Sequence, residues 1–242
     1  MRPILDESRL GTSEEISWNP TSKLRIGYAL VNFHVPALKI NHREGSNARG
    51  QEGLEQILNA ALSILVEEGY RALTMRRIAS ECRKQSGNIS YYFKSKDELV
   101  RALLDAIMTS YEEAFKSAMN QVGTDPEKRL DNLIKLILDD ITSKKTTHIF
   151  LELWALSNHD SFVKERLYEL YSRQYGYFQV LIRQLNPAIS EQDERLLAAF
   201  ISAALEGMTV FAGYKKPWER FMPRFEQMAS QCFISLVRSL KS

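Results

Sequence analysis

The chain has 242 residues, 44% of them hydrophobic, a composition ordinary for a soluble globular protein and long enough for one large domain or two small ones. Its net charge of only +2 excludes a global polycation, so a nucleic-acid-binding face has to be a local concentration of charge. The two cysteines, Cys82 and Cys232, lie far apart with no C-x-x-C or Cys/His spacing, which argues against a disulfide framework or structural zinc and fits a reducing cytoplasm.

Along the chain, residues 1–50 carry scattered Pro, Gly, Ser and Asn with no sustained helical period, and they read as a poorly ordered extension. Within it, Tyr28 to Ile40 alternatively reads as a short strand or a partner-binding arm. The apolar run from Ile26 to Ile40 is broken by Asn32, His34 and Pro36 and is too short to span a bilayer. The expectation is a cytoplasmic protein without a membrane partner.

From Leu54 the pattern changes. Leu54, Ile57, Leu58, Ala61, Leu62 and Leu65 recur at three- and four-residue steps, the stripe of an amphipathic helix that Gly69 ends. Thr74 is placed to cap a second, short helix through Ile78 and Ala79. A turn at Arg83 to Gln85 leads to a third, Ser86 to Tyr92. Ser95 caps a long helix whose first turn holds Asp97 and Glu98, suited to the helix dipole, and which runs to about Met119. Further helices are expected over 126–142, 148–156, 161–184, 191–212 and 217–240, so the fold class is all-α. The domains then read as an extension (1–50), a three-helix unit (51–98) and a larger helical body (99–242).

Residues 74–92 meet the demands of a helix-turn-helix: two short helices, a tight turn, and a second helix whose outward residues approach base edges. Ile78, Ala79, Ile89 and Phe93 form its inner surface. Ser86, Asn88, Ser90 and Tyr91 face outward, and Gly87 permits close approach. Residues 71–101 hold eight cations against three acids, a local charge of +5, as phosphate contact requires.

Leu73-Thr74, Ile78-Ala79, Gly87-Asn88-Ile89, Tyr91-Tyr92-Phe93-Lys94-Ser95-Lys96 and Leu99 resemble the pattern of the TetR family of transcriptional regulators over residues 54–101. The resemblance implies a homodimer whose recognition helices read a palindromic operator, in most members as a repressor released by a small ligand. Three positions depart from the family's Gly-Val-Ser turn: Arg83 stands where a left-handed residue fits best, Lys84 replaces an apolar anchor, and Gln85 replaces a good cap, a role Ser86 is able to take. Ser90 stands where many members have a phosphate-binding tyrosine, which leaves Tyr91 and Tyr92 as aromatic candidates. Asn88 suits a bidentate adenine contact, Thr74, Tyr91 and Lys96 suit phosphates, and Gln85 and Ser86 suit either. Core packing is the competing role for Tyr92.

The body is rich in aromatics from Phe150 to Phe211. Trp154, Tyr171, Tyr175 and Met208 are the candidates for a pocket that takes an apolar, aromatic or cationic effector. His148 and Glu152 are spaced i, i+4 and His159 and Asp160 follow, but no third ligand stands at a diagnostic spacing, and a hydrogen-bonded role competes with metal binding. With no nucleophile motif, phosphate-binding glycine loop or nucleotide fingerprint, neither an enzyme nor a cofactor is expected. The last two helices carry small residues among large apolar ones, the composition of a dimer interface. A helical protein-interaction adaptor with a basic N-terminal unit is the rival reading.

Overall fold

A computed structural model describes residues 37–40, 48–121 and 123–240, all within the unit Phe33–Ser242. Most of the expected extension lies outside the described residues. Of its described parts, residues 37–40 form no regular element and residues 48–50 already belong to the first helix.

Every regular element among the described residues is helical, as expected: α1 (Ala48–Glu68), α2 (Met75–Glu81), α3 (Ser86–Tyr92), α4 (Lys96–Gln121), α5 (Pro126–Ile141), α6 (Lys144–Ser157), α7 (Ser161–Leu185), α8 (Glu191–Ala212) and α9 (Met222–Ser239). Short 3-10 turns occupy Tyr70–Ala72 and Glu219–Phe221. Side-chain caps set most helix starts. Thr74 accepts the Arg77 amide, Asp125 those of Glu127 and Lys128, Ser143 that of Thr146, Asp160 those of Phe162 and Val163, and Ser190 that of Asp193. Each such cap contributes about 1 kcal/mol.

Three starts differ from expectation. α1 begins at Ala48, ahead of Leu54 where the apolar period opens. α6 begins at Lys144 instead of near His148, because Thr146 and Thr147 fill core positions where apolar residues were sought. Burial of Thr147 is tolerated because its hydroxyl donates to the Ile141 carbonyl at 2.6 Å and accepts the Tyr214 amide at 2.9 Å, so no polar group is left unmade. α9 begins at Met222 because residues 219–221 close a 3-10 turn first.

α1, α2 and α3 bury Ile57, Ala61, Leu65, Leu73, Ile78, Ile89 and Phe93 between them, and Leu99 and Leu103 of α4 continue this core into the body. α5 lies at the centre of the body, packed against α4, α6, α7, α8 and α9. The three-helix unit is also fastened to α6. His148 Nδ1 donates to the Val66 carbonyl at 2.6 Å, and Lys144 pairs with Glu67. Glu152 accepts the Tyr70 amide at 3.4 Å just after Gly69, which has φ 81 and no room for a Cβ beside that carboxylate. The His148/Glu152 spacing thus serves a helix junction. Among the described residues no cluster of three His, Cys, Asp or Glu could hold a metal.

Candidate functional site

The turn between α2 and α3 is closed by two backbone bonds, Arg83 N to Ser80 O at 3.0 Å and Lys84 N to Ala79 O at 2.9 Å. Together they are the paired bonds of a Schellman motif, which needs a left-handed residue just past the helix end. Arg83 takes that conformation, with φ 54. The turn geometry therefore survives the departure in sequence, at the steric expense of a side chain in the left-handed region. Gln85 occupies the cap position of α3 but makes no side-chain cap bond, and Ser86 is the first helical residue instead of a substitute cap.

This turn presents α3 with Ile89 fully buried beneath it and Gly87, Asn88, Ser90 and Tyr91 exposed, Tyr91 to 82%. A Cβ at Gly87 would meet nothing within 4 Å, so no contact inside the chain demands glycine there. Tyr92 is turned the other way: a Cβ at Gly53 of α1 would fall 2.1 Å from its hydroxyl, and its ring meets that of Tyr91 edge-on at 5.2 Å. Thr74 and Gln85 are exposed beside α3. Ser95 caps α4 by accepting the Glu98 amide at 3.1 Å, and Glu98 returns a bond to the Lys94 amide at 2.8 Å. Lys96 follows with its ammonium 4.2 Å from the Tyr70 ring centroid, a contact that fixes where its charge sits.

Besides Lys96, two of the eight local cations are already committed. Arg77 is held by Glu68 at 2.6 Å and Glu81 at 2.8 Å, and Arg101 lies 4.0 Å over the ring of Phe162 on α7. The first partnership was not legible in sequence, because Glu68 belongs to a separate helix beyond Gly69. Arg71, Arg76, Arg83 and Lys94 remain exposed around α3.

In the body the structure brings three of the four pocket candidates together. Trp154 Nε1 donates to the Tyr171 hydroxyl at 2.7 Å, and Tyr171 and Tyr175 stack at 6.4 Å. Trp154 and Tyr171 border an open groove of about 660 Å³ with Asp160, Lys164 and Tyr168, whereas Met208 lines neither this groove nor the cavity beside it. That cavity is enclosed by Tyr111 and Phe115 of α4, Asp140 of α5, Thr146 and Phe150 of α6, Gln174 of α7 and Glu206 of α8. Its volume of about 20 Å³ is the room of a single water molecule.

The cavity's polar groups are linked on one side. The Tyr111 hydroxyl lies 2.8 Å from Thr146 Oγ1, which donates to Asp140 Oδ2 at 3.0 Å, and Gln174 donates to Glu206 at 3.0 Å. Asp140 Oδ1 is buried without a partner. Burial pushes both carboxyls up to about 7, against the Thr146 bond for Asp140 and the Gln174 bond for Glu206. Sequence reading missed this pair although a signal was present: Asp140 stands three residues after Ile137 on the apolar stripe of α5, and Glu206 lies between buried Ser202 and Thr209 on α8.

Comparisons with known proteins agree on one family. The model for bacterial regulatory proteins of the tetR family matches residues 57–103, and that for the C-terminal region of BetI-type transcriptional repressors matches residues 126–231. An HTH-type transcriptional regulator from the dhlA 5′ region of Xanthobacter autotrophicus is 31% identical over 167 residues, 65% of this chain and 78% of that protein. A TetR-family regulator from Streptomyces coelicolor superposes with a TM-score of 0.68 at 17% identity, over 79% of this chain and 93% of the other. A transcriptional regulator from Saccharomonospora viridis, crystallised in complex with choline, superposes with a TM-score of 0.61 at 19% identity, over 78% and 97%. The buried core beneath an exposed α3, the closed turn and these matches lead to one assignment: the chain belongs to the TetR family of DNA-binding transcriptional regulators.

Proposed function

We propose that this protein is a ligand-responsive repressor that binds a palindromic operator as a homodimer and releases it when a small organic cation enters the cavity at Asp140 and Glu206. The observation that carries the reading is the outward face of α3, where Gly87, Asn88, Ser90 and Tyr91 are exposed over a buried Ile89 and ringed by uncommitted cations. Asn88 reads a base edge; Thr74, Tyr91 and Lys96 hold phosphates; Gln85 and Ser86 lie at the same edge; Tyr92 sets the height of α3 over α1.

The dimer reading rests on α8 and α9. Leu196, Phe200 and Phe211 repeat along one side of α8 and are 59%, 56% and 61% exposed, with Met228 of α9 at 52%. α8 is long and apolar enough to cross a membrane, yet only 39% of its most apolar stretch is buried. A contiguous apolar face of this kind is what a second copy covers in a symmetric four-helix contact.

The effector class follows from the cavity's chemistry. Two carboxylates, one with an oxygen that lacks a partner, stand among the rings of Tyr111, Phe115 and Phe150. An organic cation satisfies both the charge and the ring faces, whereas an anion or a neutral polar molecule leaves the acids uncompensated. The Saccharomonospora viridis relative's choline complex supports the class. With room for one water only, entry parts α4 from α5 and α8, and α4 carries that displacement to the DNA-binding unit.

The test is selection of genomic fragments on the purified protein, followed by release of the enriched operator with choline or its uncharged analogue 3,3-dimethyl-1-butanol. We expect palindromic fragments, release by choline only, and at least a tenfold higher choline requirement in Asp140→Asn. No enrichment would contradict the operator reading, and equal release by both compounds would contradict the cation.

A further inference from the structure

Residues 37–40 are docked on α4 by a side chain that recognises their backbone. Ser110, 2% exposed at the middle of α4, accepts the Lys39 amide at 3.0 Å, and its hydroxyl lies 3.2 Å from the Ala37 carbonyl and 2.7 Å from that of Ala106. Leu38 and Ile40 pack against the hydrophobic core, while Lys39 points away from them and pairs with Glu113 at 3.1 Å. This is the period-two habit of a short extended segment, with alternate side chains inward and the amide between them held. Apolar contact, backbone recognition and an ion pair coincide on four residues. A chain end with no role needs none of them.

What the segment grips gives the contact its consequence. Ser110 and Glu113 share a turn of α4 with Tyr111 and Ala114, which line the cavity. Eight residues after Ile40, at Ala48, the chain enters α1, the first helix of the DNA-binding unit. The segment therefore grips the cavity-lining turn of α4, on the chain just ahead of the DNA-binding unit. Both family matches lie beyond it, the first beginning at residue 57.

We propose that residues 37–40 are a brace on α4, holding its cavity-lining turn in its present position, and that loosening this grip is part of the release of DNA. The proposal rests on the reading above that α4 carries the response. The alternation of Leu38, Lys39 and Ile40 and the Lys39–Glu113 pair make the brace directional: substitutions on the solvent side weaken it slightly, and loss of the held amide undoes it.

The experiment compares Lys39→Pro, which removes the amide that Ser110 accepts, with Lys39→Ala, which removes only an exposed ion pair. Deuterium uptake over residues 106–114 is read without DNA or effector, and operator affinity is read separately. Lys39→Pro is expected to raise uptake at least threefold and weaken operator binding three- to tenfold, with Lys39→Ala changing either by less than twofold. A second arm uses Lys39→Cys with Glu113→Cys in a Cys82→Ser, Cys232→Ser background. Joined by a short bismaleimide, this form should slow the uptake and raise the choline concentration for release at least threefold. Uptake and affinity identical to wild type in Lys39→Pro, or uptake unaltered by the cross-link, would overturn the brace. Failure of the wild type to bind an operator would remove the regulatory reading, while the uptake arms still decide whether the segment restrains α4.

Discussion

At the level of single residues, the α2–α3 turn carries a measurable tension. Arg83 adopts φ 54 so that its own amide and that of Lys84 can close the end of α2. A non-glycine residue in this conformation costs roughly 1–2 kcal/mol, part of which glycine would give back through its larger unfolded-state entropy. Arg83→Gly should therefore stabilise the protein by about 0.5–1 kcal/mol, read as a higher midpoint in urea at unchanged slope. A lower midpoint would mean that the Arg83 side chain holds something the glycine loses. Thr74 and Ser95 were legible as caps because a hydroxyl before a run of helical period has one dominant use. Gln85 was legible as a weak cap, and it makes no cap bond. The Arg77–Glu81 pair follows from i, i+4 spacing within α2, but the commitment of Arg77 to Glu68 was not legible, since it depends on the path of the chain through Gly69.

At the level of elements, the period of apolar residues located α1 to α5, α7 and α8 because each presents a continuous stripe to one core. It missed the start of α6, where threonines occupy buried positions, and the acids of the cavity, where carboxylates stand on stripes otherwise apolar or uncharged. Those acids make pH a probe of the site. Their folded-state values of about 7 lie above the ordinary 3.8 for Asp140 and 4.5 for Glu206, with burial as the cause. Their contribution to stability is thus fully present below the ordinary values and is lost as pH rises towards 7. A bound cation favours the ionised pair and reverses this trend. Lys145, itself pushed down by burial, faces Asp140 and opposes part of the effect. Calorimetric titration should show choline affinity rising at least fivefold from pH 6 to pH 8, with protons released on binding. Affinity independent of pH, or falling with it, would remove the two carboxyls from the site. Of the aromatic candidates, Trp154 and Tyr171 border the open groove and are joined by a hydrogen bond, whereas the enclosed cavity is lined by other residues.

At the level of the whole molecule, a chain of net charge +2 carries a local excess of positive charge where α2, α3 and the start of α4 converge, and leaves an apolar face on α8 and α9 at the other end of the helix order. The all-helical class and the DNA-binding unit were readable because local propensity, caps and charge point the same way there. The docking of residues 37–40 was legible only as the open alternative of a strand or arm, for four residues carry no period, and the Ser110 hydroxyl, Glu113 and core surface that hold them lie far along the chain. Gly87 connects this scale with the first. Free of neighbours within 4 Å, it should accept alanine with no loss of folding stability, so any loss of binding in Gly87→Ala reports on the DNA side.

The most direct measurement is therefore an anisotropy titration of the selected operator and a scrambled duplex, at several salt concentrations, with wild type, Gly87→Ala, Asn88→Ala and Lys96→Ala. The account predicts tight operator binding that weakens linearly with the logarithm of salt. Asn88→Ala should lose about tenfold on the operator, the worth of about 1.4 kcal/mol of base discrimination, with little change on the scrambled duplex. Lys96→Ala should weaken both and reduce the salt slope by about one contact, and Gly87→Ala should bind poorly while melting as wild type does. Equal affinity for operator and scrambled DNA, or all three variants binding as wild type, would contradict it.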